Sequence, residues 1–193
     1  MKEEEIRSAF EIAMEKVSGL PELTREEILQ QNEKEYGPVG DALAKKYLSG
    51  TISNHELPIE LARHSGTPGP IVLRALISGL CRELRLENDR EVGERALEGL
   101  KFLASGRSEA VGKIAGEFWE LVDEFDRKKV ENSRKFEVLA IERLRDLGIS
   151  GSAVRPNLNE DAHWKEALRE IQNACEPRLA DIRNRLMQEL QQR

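Results

Sequence analysis

The stretch EALREIQNACEPRLADIRNRLMQEL, residues 166–190, decides the fold class. Within it Leu168, Ile171, Cys175, Leu179, Ile182, Leu186 and Leu190 recur at spacings of three and four residues. On a helix that spacing stacks them on one face, whereas a strand would need a period of two. The order three, four, four is an eleven-residue repeat and not a heptad, so the stripe stays nearly straight or slightly right-handed along whatever it packs on. Pro177 falls between stripe positions, and a kink is expected there without loss of register. Asn159 is placed to cap this helix, and Glu160 and Asp161 lie in its first turn, where the helix dipole favours acids.

Upstream, Gly148 to Asn159 is rich in turn formers yet holds Ile149, Val154 and Leu158, which predicts a structured connector that packs down. Before it, Ser108 opens a helical pattern uninterrupted by proline until Gly148. Roughly forty residues at about 1.5 Å each give roughly 60 Å, more than one compact domain of this size can cover, so part of it must project or pair elsewhere. Its start is apolar at Val111, Ile114, Phe118, Leu121, Val122 and Phe125, and its end at Phe136, Leu139, Ala140, Leu144 and Leu147. Between them Asp126 to Lys135 offers only Val130, a solvated stretch, a hinge or a partner-facing surface.

The first hundred residues read as shorter helices. Lys2 to Ser18 places Ile6, Phe10, Ala13 and Val17 on one face. Thr24 and Glu27 have capping-box spacing and open a helix to about Tyr36, where Gly37-Pro38 is expected to break it. Pro38 then starts a third helix carrying Val39, Leu43 and Tyr47 and ending at Gly50. Ser53 and Glu56 repeat the box before a short helix with Ile59, Leu61 and Ala62. Ser65 to Pro70 is expected to be a tight, non-helical connection. From Ile71 to Leu86 apolar residues surround the axis, leaving Arg74, Ser78, Arg82 and Arg85 as one polar stripe, so this is the expected central helix. Asn88 to Glu91 restarts the chain, with Val92, Ala96, Leu100 and Leu103 inward until Gly106.

Composition agrees with helices. Charged residues make up 34% of the 193 residues and aromatics 5%, a balance that suits helical surfaces better than sandwiches or barrels. A net charge of −6 gives no field to attract a phosphate backbone or an anionic membrane. The basic residues Arg127 to Lys129, Arg134, Lys135, Arg178, Arg183, Arg185 and Arg193 would lie at different heights, diluted by acids, so nucleic acid is disfavoured as a partner. The longest apolar stretch is interrupted by arginines and cannot span a membrane, and Met1 to Ile6 has no signal-peptide core, which places the protein in the cytoplasm. Cys81 and Cys175 sit inside apolar patterns and read as buried small residues.

Residues 11–15, 23–27 and 36–48, with the loop Leu-Gly-Ile-Ser-Gly-Ser-Ala-Val-Arg-Pro-Asn157, resemble a family of uncharacterised bacterial all-helical proteins, a domain of unknown function. The resemblance rests on caps and turns, and it brings no catalytic residue with it.

Candidate chemistry is sparse. Glu160 and His163 share a helix face at the spacing used by di-iron bundles, but a single motif lacks the second half of such a site. Glu117, Glu120 and Glu124 could act as acid/base carboxylates if Phe118 and Trp119 buried them. Arg63, Gly66, Thr67, Gly69 and Arg74 around the proline turn could hold a small anion at a helix N-terminus.

The sequence thus implies an all-α protein, an N-terminal multi-helix bundle over 1–106 followed by a long antiparallel helical hairpin over 107–193 that packs on it and could belong to the same domain. The expected function is a non-enzymatic interaction or scaffold role without a cofactor, as a homo-oligomer or with another protein. Leu168, Ile171, Leu179, Ile182, Leu186 and Leu190 would form the interface. A small-ligand or anion binder using the 63–74 turn is the alternative.

Overall fold

The computed structural model describes residues 24–87, 89–151 and 154–191, and the helix expected over Lys2 to Ser18 lies outside them. Among the described residues there are α-helices and no strands, in the order α1 (Arg25–Leu48), α2 (Leu57–Ala62), α3 (Pro68–Arg82), α4 (Arg90–Leu103), α5 (Ser108–Asp146) and α6 (Ala162–Gln191). The all-α class read from the sequence is the class of the structure.

Helix α1 opens on the expected capping box: Thr24 N–H donates to the Glu27 carboxylate at 2.8 Å and Glu27 N–H to Thr24 Oγ1 at 3.2 Å. It does not stop at Gly37-Pro38. One helix runs through both residues, correcting the expected break. Pro38 is exposed, and so is Lys34, whose carbonyl loses its partner, so water can satisfy that group. Packing of Gly40, Leu43, Ala44 and Tyr47 downstream then outweighs the local break signal.

Two further boundaries move. Glu56 reaches back to Ser53 N–H at 2.8 Å, but α2 begins at Leu57, and it is Leu57, fully buried, that anchors it, while Ile59 is exposed. Helix α3 starts inside the expected connection, at Pro68. First-turn N–H groups have no partner within a helix, so proline at these positions forfeits nothing.

Helices α1 and α3 run parallel and cross through small residues. A Cβ at Gly40 would collide with the Val72 carbonyl oxygen and the Ala75 methyl, and one at Gly79 would lie 2.7 Å from the Ala44 methyl. Glu33–Arg74 at 2.5 Å and Asp41–Arg82 at 2.8 Å repeat the same offset along the rim. As expected, α3 is central: Val72, Leu76, Ile77, Leu80 and Cys81 are buried, while Arg74, Arg82 and Arg85 stay outside. Asp89 caps α4 by accepting from Glu91 N–H at 3.1 Å, and Ala96, Leu97, Leu100 and Leu103 face inward.

Helices α5 and α6 lie antiparallel, paired by Glu117–Arg185 at 2.5 Å, Glu124–Arg178 at 2.6 Å and Arg143–Asp161 at 3.6 Å, and by the rings of Phe136 and Trp164 at 5.8 Å. Helix α6 is unbroken at Pro177, which is exposed. Its cap is Asp161 and not Asn159: Asp161 Oδ1 accepts from His163 N–H at 2.8 Å and Trp164 N–H at 3.0 Å. The upstream residues are taken up by a short 3-10 turn, Leu158–Glu160, closed by Asn157. In the connector Val154 and Leu158 are half-buried, but Ile149 is exposed and does not pack down.

One hydrophobic cluster joins Leu43 and Tyr47 of α1, the buried face of α3 and α4, residues 111–125 of α5 and the α6 stripe, so the segments before and after residue 106 share a core. Each leucine or isoleucine buried there contributes about 1.5–3 kcal/mol.

Candidate functional site

The apolar stripe of α6 is covered by its own chain. Ile171, Leu179, Ile182, Leu186 and Leu190 are buried and Leu168 half-buried, so these side chains face α3, α4 and α5 and not a second molecule. Any surface offered to a partner lies elsewhere.

Of the three candidate carboxylates of α5, Glu120 is exposed, and Glu117 and Glu124 are held in ion pairs. Glu117 accepts two hydrogen bonds from Arg185, at 2.5 and 2.8 Å, and these hold its carboxyl below the usual carboxylate range. Hydrogen bonds from Lys128 and then Arg178 hold Glu124 down at about 2. Both stay ionised as ion-pair partners and cannot carry a proton near neutral pH. Trp119 does not cover them; it rests against Gly93 and carries the Arg90 guanidinium 4.8 Å from its ring centre.

The proline turn fares no better as an anion site. Arg63 pairs with Glu60 at 2.8 Å and Arg74 with Glu33 at 2.5 Å. Gly69 N–H donates to the Gly66 carbonyl at 3.1 Å, Thr67 makes no side-chain cap, and Pro68 and Pro70 have no N–H. Arg63, Gly66, Thr67, Gly69 and Arg74 are near in sequence, but their donors do not converge. Among the described residues no group of three or more His, Cys, Asp or Glu side chains is placed to hold a metal ion, and Glu160 and His163 acquire no further ligand. Burial pushes the Cys81 thiol up to about 12, and Cys175 is buried too.

What stands out is the second half of α5. At the Glu87 side chain the hairpin leaves the core: one carboxylate oxygen takes Lys129 Nζ at 3.1 Å and the other Gln172 Nε2 at 2.7 Å, tying the turn after α3 to both long helices. Just before it, Arg183 donates twice to the Leu84 carbonyl, at 3.1 and 2.7 Å, closing the end of α3. Beyond this strut α5 and α6 continue as a two-helix arm.

Within the arm, Phe136 and Leu144 turn toward α6 and are half-buried. Val130, Val138, Leu139, Ile141, Leu147 and Ile149 remain exposed, six of the ten exposed large hydrophobics among the described residues. Val138 is 56% and Leu147 75% exposed. On α5, Arg127, Val130, Arg134, Val138, Ile141 and Arg145 follow one another at spacings of three and four, all exposed, and so form one ridge away from Phe136.

The chain matches no known protein-family model, no curated protein and no solved structure.

The ridge was within reach of the sequence, since its three-four spacing is as regular as that of the α6 stripe. It escapes a search for hydrophobic periodicity because arginines occupy half its positions. Leu139 and Leu147, expected with the inward set, are exposed.

Proposed function

We propose that this is a non-enzymatic helical interaction protein that self-associates through the projecting arm of its C-terminal hairpin. One observation carries this reading: of the ten exposed large hydrophobics among the described residues, six gather between Val130 and Ile149, in the arm that α5 forms with α6. An isolated exposed leucine is ordinary on a protein surface, whereas a cluster on one element marks a contact surface. The occupied ion pairs at Glu117, Glu124, Arg63 and Arg74 favour it over catalysis or anion binding.

Light scattering across a gel-filtration peak tests it. The full chain at high micromolar concentration runs as a dimer, and Val138→Asp with Ile141→Asp shifts it to monomer while its far-ultraviolet circular dichroism stays that of the unmodified chain. A strict monomer, or a dimer indifferent to both changes, disproves the proposal.

A further inference from the structure

The charges of the ridge narrow what the arm meets, on the premise that the arm is the interaction surface. Arg127, Arg134 and Arg145 stand there against Glu137 and Glu142, a net of 3 − 2 = +1. Along the border Glu131 is already paired with Lys135 at 3.0 Å. Arg134 and Arg145 have no carboxylate partner among the described residues, whereas Lys128, Lys129 and Arg143 nearby are all paired. From Arg127 to Arg145 the ridge is about 27 Å long. A complementary partner is a helix of similar length with an apolar face and flanking carboxylates.

Residues 2–18 of this chain have that composition. Ile6, Phe10, Ala13 and Val17 fall on one face, and Glu3, Glu4, Glu5, Glu11 and Glu15 outnumber Lys2, Arg7 and Lys16, a net of 3 − 5 = −2. As a helix the segment would be about 25 Å long. To lie along the ridge of its own molecule it would need a longer tether than the sequence supplies. Because α1 and α3 are parallel, Thr24 lies on the side of the Ala44–Gly79 crossing away from Leu84, with about 30 Å of helix between Thr24 and Ala44. Residues 19–23 extend at most about 18 Å. The nearer surface, exposed Ile28 and Leu29 of α1, is set among Glu26, Glu27, Glu33 and Glu35 against Arg25, Lys34 and the Arg74 that pairs with Glu33, a net of 3 − 4 = −1, the same sign as the segment.

We infer that the arginine and aliphatic ridge of one copy receives residues 2–18 of a second copy, with the glutamates of the segment meeting Arg134 and Arg145. In a two-fold dimer the exchange is reciprocal, each arm holding the other chain's N-terminal segment.

Three samples of the full chain test this by light scattering. Arg134→Glu with Arg145→Glu weakens the dimer at least about tenfold, and so does Glu4→Lys with Glu11→Lys and Glu15→Lys. Mixing the two variants restores a heterodimer in which the swapped charges match, and a labelled synthetic peptide of residues 2–18 binds the unmodified chain and dissociates its dimer. A dimer that resists the arginine changes overturns the inference together with the role of the arm. A dimer lost with the arginine or Val138 and Ile141 changes but untouched by the glutamate changes, or no rescue on mixing, overturns only the assignment of residues 2–18 and leaves the arm as the interface. Peptide binding that is unaffected by Arg134→Glu with Arg145→Glu places the segment on α1 and also overturns it.

Discussion

The first and second halves of α5 carry apolar residues at the same helical spacing, and only the first half is fully covered. Val111, Ile114, Phe118, Leu121 and Phe125 are buried, while Val130, Val138, Leu139 and Ile141 are exposed, although the helix runs without interruption from Ser108 to Asp146. The difference is supplied by the neighbours. Helix α3 stops at Arg82 and α4 starts at Arg90, and the Glu87 turn between them meets Lys129 in the middle of α5; past Lys129, among the described residues, α6 and the short turn before it are what lies against α5. A 39-residue helix is about 58 Å long, and a bundle whose central helix has 15 residues, about 22 Å, cannot bury all of it. Periodicity therefore reports which residues share a face, and the lengths of the surrounding helices decide whether that face is core or contact surface.

The largest expected effect breaks the comparison at its buried end. Phe118→Ala, at a side chain with almost no exposure, destabilises the fold by about 3–5 kcal/mol, whereas Val138→Ala stays within about 0.5 kcal/mol. Urea titrations of both variants read the contrast, and equal losses would show that the arm is part of the core.

Glycines give a second, smaller contrast of opposite sign. Gly40→Ala forces a methyl into the α1–α3 crossing and costs about 1–3 kcal/mol despite its better helix propensity. Gly116→Ala, on an exposed turn of α5 with nothing near its Cβ, stabilises by up to about 1 kcal/mol. Thermal midpoints moving apart in opposite directions check both.

The smallest effect concerns acid. Ion pairs with Arg185, and with Lys128 and Arg178, join α5 to α6 through Glu117 and Glu124. Their folded pKa values lie below the ordinary 4.5, so the pairs contribute fully above about pH 4.5 and are lost as the pH falls, for Glu124 through about 2. The pairs are solvent-screened, so the change is modest. Glu124→Gln removes the part of the acid transition that belongs to this site, and an unchanged pH profile would show that the pair is not formed in solution.

The caps and stripes that the structure bears out were legible because each is a local pattern: Thr24 with Glu27, the face of α3 and the α6 stripe. The boundaries at Pro38 and Pro68 were not, since a proline breaks a helix only where a donor is needed and its carbonyl partner is dry, and burial is a property of the fold. The cap of α6 fell to Asp161 because two nearby Asn residues were engaged in a short turn that sequence spacing does not reveal. For the candidate site, the need for part of α5 to project follows from length alone. The choice between the α6 stripe and the α5 ridge as contact surface required knowing that α3, α4 and α5 already cover the former.

Hydrogen exchange followed at several protein concentrations tests the central claim most directly, since it reports where association occurs as well as whether it does. Amides of residues 127–146 should slow as concentration rises, while those of 111–125, protected by the core throughout, stay constant. Exchange in the arm that is independent of concentration, or protection gained on a helix other than α5 and outside residues 2–18, would contradict the account.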